Sequence, residues 1–241
     1  MQPSPTGSGL GFWSPQGIAP YFGGVTADTM LIEDANTTFH VVWTGAGISD
    51  TKGTIWKMNG TVPQVFAGSG IFAMPKPGAG TYSAANNYQS PNNTLGEWAG
   101  DWSLTLVFSM SSVSAQVLMG KRSAAGTDGW MVYINATTAV IYAYDGVLRS
   151  AAAPGSVPTN SRSVVTVGRS GNLLYCRLNG GASNNVGPFG IMTPATAEPL
   201  RIGKFGGGAE ATTSTIYEII GSTTPYTDAL HAARWARVSG W

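Results

Sequence analysis

The chain has 241 residues, of which 43% are hydrophobic and only 10% charged, with 13 basic residues against 12 acidic ones. That apolar content excludes a disordered chain, and a net charge of +1 with no basic run excludes the phosphate-neutralising surface of a nucleic-acid binder. No apolar stretch approaches the roughly 20 residues of a membrane-spanning helix, while 33 glycines and 14 prolines point to a turn-rich β architecture.

Residues 1–28 alternate Gly, Pro and Ser with isolated rings, Phe12, Trp13, Tyr21 and Phe22. Proline and glycine oppose both helix and central strand. The segment therefore reads as an extended arm whose aromatics dock on its own domain or on a neighbouring subunit. No Lys or Arg precedes Lys52 and no continuous apolar run occurs there, so a secretory leader is not expected.

From residue 29 onward the chain reads as short strands between turns, one domain over 29–241. Residues 38–44 are rich in β-branched and aromatic side chains. Residues 54–58 and 61–66 flank Asn59-Gly60, whose two positive-φ positions suit a hairpin turn. A strand is expected near 70–74, whereas 82–91 is polar and loop-like. Further strands are predicted at 102–110, 116–121, 129–135, 139–144, 163–168, 173–178, 199–205 and 215–220, with Asp145-Gly146 opening a hairpin to Leu148. Such spacing argues for an antiparallel sandwich or barrel. One helix is predicted, over 228–238, with Leu230, Arg234 and Val238 on one face and Thr224 or Thr227 as its cap.

Four stretches carry a resemblance. Residues 101–108 resemble an early strand written F-T-[IL]-x-[VF]-W, and Gly129-Trp130-Met131-Val132-Tyr133 resembles a G-W-x-[LV]-x strand. Residues 173–180 resemble an L-Y-x-N-G hairpin. Residues 199–203 with 215–220 resemble P-L-x-I-G followed by G-x-I-x-[ED]-[IV]-x-[IV]. Together, over 95–241, they resemble the concanavalin A-like (laminin-G-like) lectin and glucanase superfamily. The resemblance implies an all-β, two-sheet antiparallel jelly-roll sandwich with an extended N-terminal arm and a short C-terminal helix. It implies a first strand somewhere within 60–94. Function does not follow, since that fold hosts lectins, hydrolases, adhesion modules and virion domains.

The chemistry points away from catalysis. A retaining glucanase needs two carboxyl groups about 5–5.5 Å apart, whereas adjacent Glu33 and Asp34 would point to opposite faces of a strand. Glu97 and Asp101 are separated by Trp98 and Gly100. His40 and His231 are the only histidines; His40 reads as a packed or edge residue, and Glu218 as a solvated or turn-bonding carboxylate. With Cys176 they make too few ligands for zinc, and Cys176 reads as an inert core thiol. No cofactor is expected; calcium would fall to Asp128 and Asp145 beside Gly129 and Gly146, which equally suit plain turns. For a sugar, Trp130, Tyr142 and Tyr144 could supply rings and Asn184 and Asn185 polar groups, although the same aromatics fit a core or cross-strand pairs.

The expected function is a non-enzymatic structural or assembly protein. A bacteriophage virion component, a capsid decoration or tail accessory partnered by virion subunits or by its own copies, leads. A carbohydrate-binding module or adhesin recognising surface glycans is the alternative.

Overall fold

The computed structural model describes residues 31, 33–44, 47–59, 65–67, 71–73, 87–205 and 214–239. They form two seven-stranded antiparallel sheets, a separate two-stranded hairpin and one helix. Across the first sheet the order is β14 (Asn184–Val186), β13 (Leu173–Leu178), β12 (Arg162–Ser170), β7 (Trp102–Met110), β16 (Ser214–Ser222), β1 (Thr37–Thr44) and β2 (Gly47–Asp50). Across the second it is β11 (Leu148–Ala152), β10 (Thr138–Tyr144), β9 (Trp130–Asn135), β8 (Gln116–Lys121), β15 (Arg201–Ile202), β6 (Asn87–Gln89) and β3 (Lys57–Asn59). β4 (Val65–Ala67) pairs only with β5 (Ile71–Ala73), and α1 spans Asp228–Ser239. The all-β antiparallel sandwich with its short terminal helix is thus the fold. The arm, with Phe12, Trp13, Tyr21 and Phe22, lies outside the described residues.

Gly60 of the expected Asn59-Gly60 turn and the segment after it up to residue 64 lie outside the described residues; β3 pairs with β6, nearly thirty residues on. Local signals misplace two pieces. β6 itself lies in the stretch read as loop, because its pairing with β3 and β15 is long-range and leaves no local turn to read. The first strand is β1, upstream of 60–94, and it joins the first sheet beside the last strand, β16.

Alternation explains the layers. Leu104, Leu106 and Phe108 of β7, Val165 and Val167 of β12, and Leu174 and Cys176 of β13 point into the sandwich. They meet Trp130, Val132 and Ile134 of β9 and Ile141 and Ala143 of β10. At one end the core is aromatic. Trp98 stacks on Trp102 at 4.7 Å between ring centroids and on Trp130 at 5.4 Å, with Phe39 on its far side at 6.2 Å. Cys176 is fully buried and burial pushes its thiol up to about 12, so it is chemically quiet.

The opposite face of the first sheet has a cover of its own. There α1 closes a second apolar cluster of Leu31, Val107, Val164, Ile220, Tyr226 and Val238. The Thr227 hydroxyl caps the helix by accepting from the Leu230 amide at 3.2 Å. Among the described residues, no helix is long and apolar enough to cross a membrane.

One glycine is demanded by geometry. Gly129 sits at φ +68°, and a Cβ there would lie 1.8 Å from the Lys121 carbonyl oxygen, which is backbone and cannot step aside. Gly129→Ala is expected to cost about 2–5 kcal/mol, combining left-handed strain with overpacking, and urea melts will read it as a lower midpoint.

Candidate functional site

Two places collect side chains able to do chemistry or recognition. The first is centred on His40 in β1. Its Nδ1 lies 2.8 Å from Glu33 Oε1 and its Nε2 2.5 Å from Glu218 Oε1. Glu218 comes from β16, which pairs with β1 and places Val42 opposite Glu218. The same Glu218 oxygen accepts the Leu31 amide at 3.1 Å. Glu33 is also met by the Lys52 ammonium at 2.5 Å and by the Thr51 hydroxyl. The reading of Glu218 as a solvated or turn carboxylate is therefore corrected. It is 2% exposed, because the sheet register turns it under the segment that precedes β1.

The electrostatics follow from this packing. Burial alone would favour a neutral His40 ring, but Glu218 and then Glu33 outweigh it and raise its pKa above 6.5. Burial would raise Glu33, yet hydrogen bonds from Lys52, Thr51 and His40 hold its carboxyl at about 2. His40 is 1% exposed, so the ring itself is shut off from solvent, while Glu33 and Lys52 stand at the rim of the cluster.

The second place is the outer face of β9–β11. Residues opposite each other across an antiparallel pair share a face, and the register sets Tyr133 opposite Val140, and Tyr142 opposite Met131 on one side and Ser150 on the other. Tyr133 and Tyr142 meet edge to face at 5.9 Å. Val117, Met131 and Val140 of this face are buried, while Tyr142 and Tyr144 are half-buried and Ser150 and Leu148 exposed, so the face opens toward β11. At the strand ends Thr193 donates to the Tyr144 carbonyl at 2.7 Å, and Gly190 to Asp145 Oδ2 at 2.8 Å. The 189–193 loop is thereby strapped beside the β10–β11 turn, where Val147, Leu148 and Ile191 are exposed.

Of the sequence-selected sugar ligands, the structure unites Tyr142 and Tyr144 but not Trp130. Trp130 pairs with Ala143, on the inner face; it is fully buried, and its indole donates to the Gly96 carbonyl at 2.9 Å. Its place is taken by Tyr133, which the inward alternation of Trp130, Val132 and Ile134 could have revealed. Asn184 closes the sandwich edge by donating to the Ala152 carbonyl at 2.9 Å, and Asn185 is exposed beside it. The calcium candidates do not converge. Asp128 accepts from the Ser123 amide, while Asp145 accepts from Gly190 and Arg149. No group of three acidic, His or Cys residues suited to a metal occurs among the described residues.

No family of known proteins matches the sequence, and no curated protein does. Solved structures do. The receptor-binding domain of botulinum neurotoxin type G superposes with a TM-score of 0.61 at 11% identity, over 84% of this chain and 51% of that one. The binding domain of Paraclostridial Mosquitocidal Protein 1 superposes at 0.65 and 9% identity, over 83% and 52%. The binding domain of botulinum neurotoxin DC in complex with SialylT gives 0.61 and 11%, over 85% and 52%. The chain shares their β-sandwich fold. It spans about half the length of the solved structures it matches, and at such identities the likeness concerns fold and not residues.

Proposed function

We propose that the protein is a non-catalytic recognition module that binds glycans through the outer face of β9–β11. The observation that carries this reading is the grouping of Tyr133, Tyr142 and Tyr144 on the side of the second sheet that opens toward solvent at β11. Tyrosine rings offer apolar faces to sugar C–H groups and a hydroxyl at the rim, which is why such platforms serve polar ligands. Solved structures of this fold include toxin binding domains, one of them in complex with SialylT, which agrees with recognition rather than turnover.

A glycan array followed by calorimetry on the hits tests the reading. Tyr142→Ala is expected to weaken a hit about tenfold or more, the loss of one aromatic contact of roughly 1–2 kcal/mol, while the fold persists. Absence of any hit at millimolar sugar, or full binding by Tyr142→Ala, would overturn it.

A second reading, a virion accessory subunit on a lectin-like jelly roll, is favoured by the low charge content and the aromatic arm over 1–28. It places the protein in a phage particle, with other virion subunits or its own copies as partners. Light scattering on the full chain and on a form lacking residues 1–28 tests this. A defined oligomer that truncation dissolves supports an assembly role; two monomers exclude self-assembly through the arm.

A further inference from the structure

The His40 cluster is more elaborate than packing requires. A carboxylate has no proton to donate, and a neutral imidazole has one N–H. Contacts of 2.8 and 2.5 Å from the two ring nitrogens to two different carboxylates are thus both satisfied only when the three groups share the proton of an imidazolium. Asp50 Oδ1 accepts the His40 amide at 3.1 Å, so a third carboxylate stands beside His40. Without the ring proton, one of the two nitrogen–carboxylate contacts has no hydrogen between its atoms.

What the cluster joins is equally specific. Leu31 and Glu33 precede β1, at the start of the described residues. Leu31 is fully buried in the apolar cluster under α1, and its amide shares Glu218 Oε1 with the imidazole. Glu33 is bound through its side chain to His40 Nδ1 and to Thr51 and Lys52 after β2. One ring therefore ties the segment before β1 to β1 and β16 at once.

We propose that His40, as an imidazolium bridging Glu33 and Glu218, is a pH-operated clasp that locks Leu31 and Glu33 onto the outer face of the first sheet. The raised pKa of the ring keeps the clasp shut through the range where a free histidine has lost its proton, and the clasp opens as pH rises through that raised value. On the acid side, hydrogen bonds from Lys52, Thr51 and His40 hold the Glu33 carboxyl at about 2, so the Glu33 arm of the clasp keeps its charge well below the ordinary carboxylate range.

The chain has two histidines, so imidazole nitrogen NMR on the full-length protein resolves both rings. His231, buried beside two arginines and held near about 4, serves as the neutral reference. At about pH 7 His40 is expected to show two protonated nitrogens and to titrate above 6.5. The protection factor of the Leu31 amide should fall roughly tenfold across that midpoint, the loss of a charge-assisted bond, while amides of β7 and β12 stay unchanged. Glu33→Gln should move the midpoint down, and His40→Gln should give Leu31 the lowered protection at every pH. If His40→Gln fails to fold, the wild-type titration and Glu33→Gln still decide. A neutral His40 at about pH 7, or Leu31 protection that ignores the His40 midpoint, would overturn the clasp.

Discussion

Trp130→Ala is expected to lower the free energy of unfolding by about 4–5 kcal/mol, whereas Tyr142→Ala, on the opposite face of the same sheet between Met131 and Ser150, is expected to cost less than about 1.5 kcal/mol. The large figure has three sources. Truncating a fully buried tryptophan removes its transfer energy and leaves a cavity, about 3–5 kcal/mol together. The stacks on Trp98 at 5.4 Å and on Trp102 at 5.6 Å vanish. The Gly96 carbonyl loses its donor inside the core. The neighbouring Trp98 is itself stacked on Trp102 and on Phe39, so it is expected to refill little of the space. Tyr142, by contrast, is half-buried and loses chiefly its edge-to-face contact with Tyr133. For a chain of this size the first change should lower Tm by roughly 10–15 °C, read by calorimetry or by tryptophan fluorescence. Trp130→Phe separates packing from bonding, with an expected cost nearer about 2 kcal/mol. Equal losses for Trp130→Ala and Tyr142→Ala would mean that the face assignment in β9–β10 is wrong.

That contrast also marks what the sequence could reveal. Strands whose hydrophobic alternation is local, such as Trp102–Met110 and Leu173–Leu178, lie where the pattern predicts them. The same holds for α1, whose Arg234 and Val238 are buried on the predicted face while His231 joins them. Pairing is a different matter. β3 is bound to β6, about thirty residues on, and no local turn signal announces that pairing. Trp130 and Tyr142 look alike as aromatics in neighbouring strands, and only the register, which sets Trp130 against Ala143, sends one inward and the other outward. The partners of His40 were illegible for a related reason. Glu218 lies 178 residues away and approaches only because β1 inserts beside β16, which no periodicity announces. A buried charged group can be recognised in a sequence only if its partner can be found, and here the partner belongs to topology.

Acidifying the protein from about pH 6.5 to about pH 5 is expected to remove about 2 kcal/mol of stability through His231 alone. The ring is fully buried under α1; its Nε2 accepts the Gly180 amide at 3.1 Å, so the proton must sit on Nδ1, which donates to Thr166 Oγ1 at 2.8 Å. Thr166 in turn meets Thr105 at 2.9 Å, and Arg234 donates to Thr105 from its stack over Tyr226. A second proton on His231 would displace the Gly180 bond and add charge beside Arg177 and Arg234. Burial, and then those two arginines, accordingly lower its pKa from 6.5 to about 4. The unfolded chain binds a proton below 6.5 that the folded chain refuses until about 4, so stability rises with pH across that window and falls on acidification at about 1.4 kcal/mol per pH unit. His40, with its pKa raised, works in the opposite sense, but by only a few tenths of a kcal/mol, since the unfolded ring completes its protonation just below 6.5. Glu33, held at about 2, begins to contribute only near its ordinary value of 4.5. Urea melts at the two pH values on the wild type and on His231→Gln, which keeps a polar group but cannot titrate, read the difference directly. The variant should lose the slope between about pH 6.5 and about pH 5 while remaining folded. A slope that persists in His231→Gln would place the acid sensitivity elsewhere, and would remove the argument that α1 is seated on a ring kept neutral by its arginines.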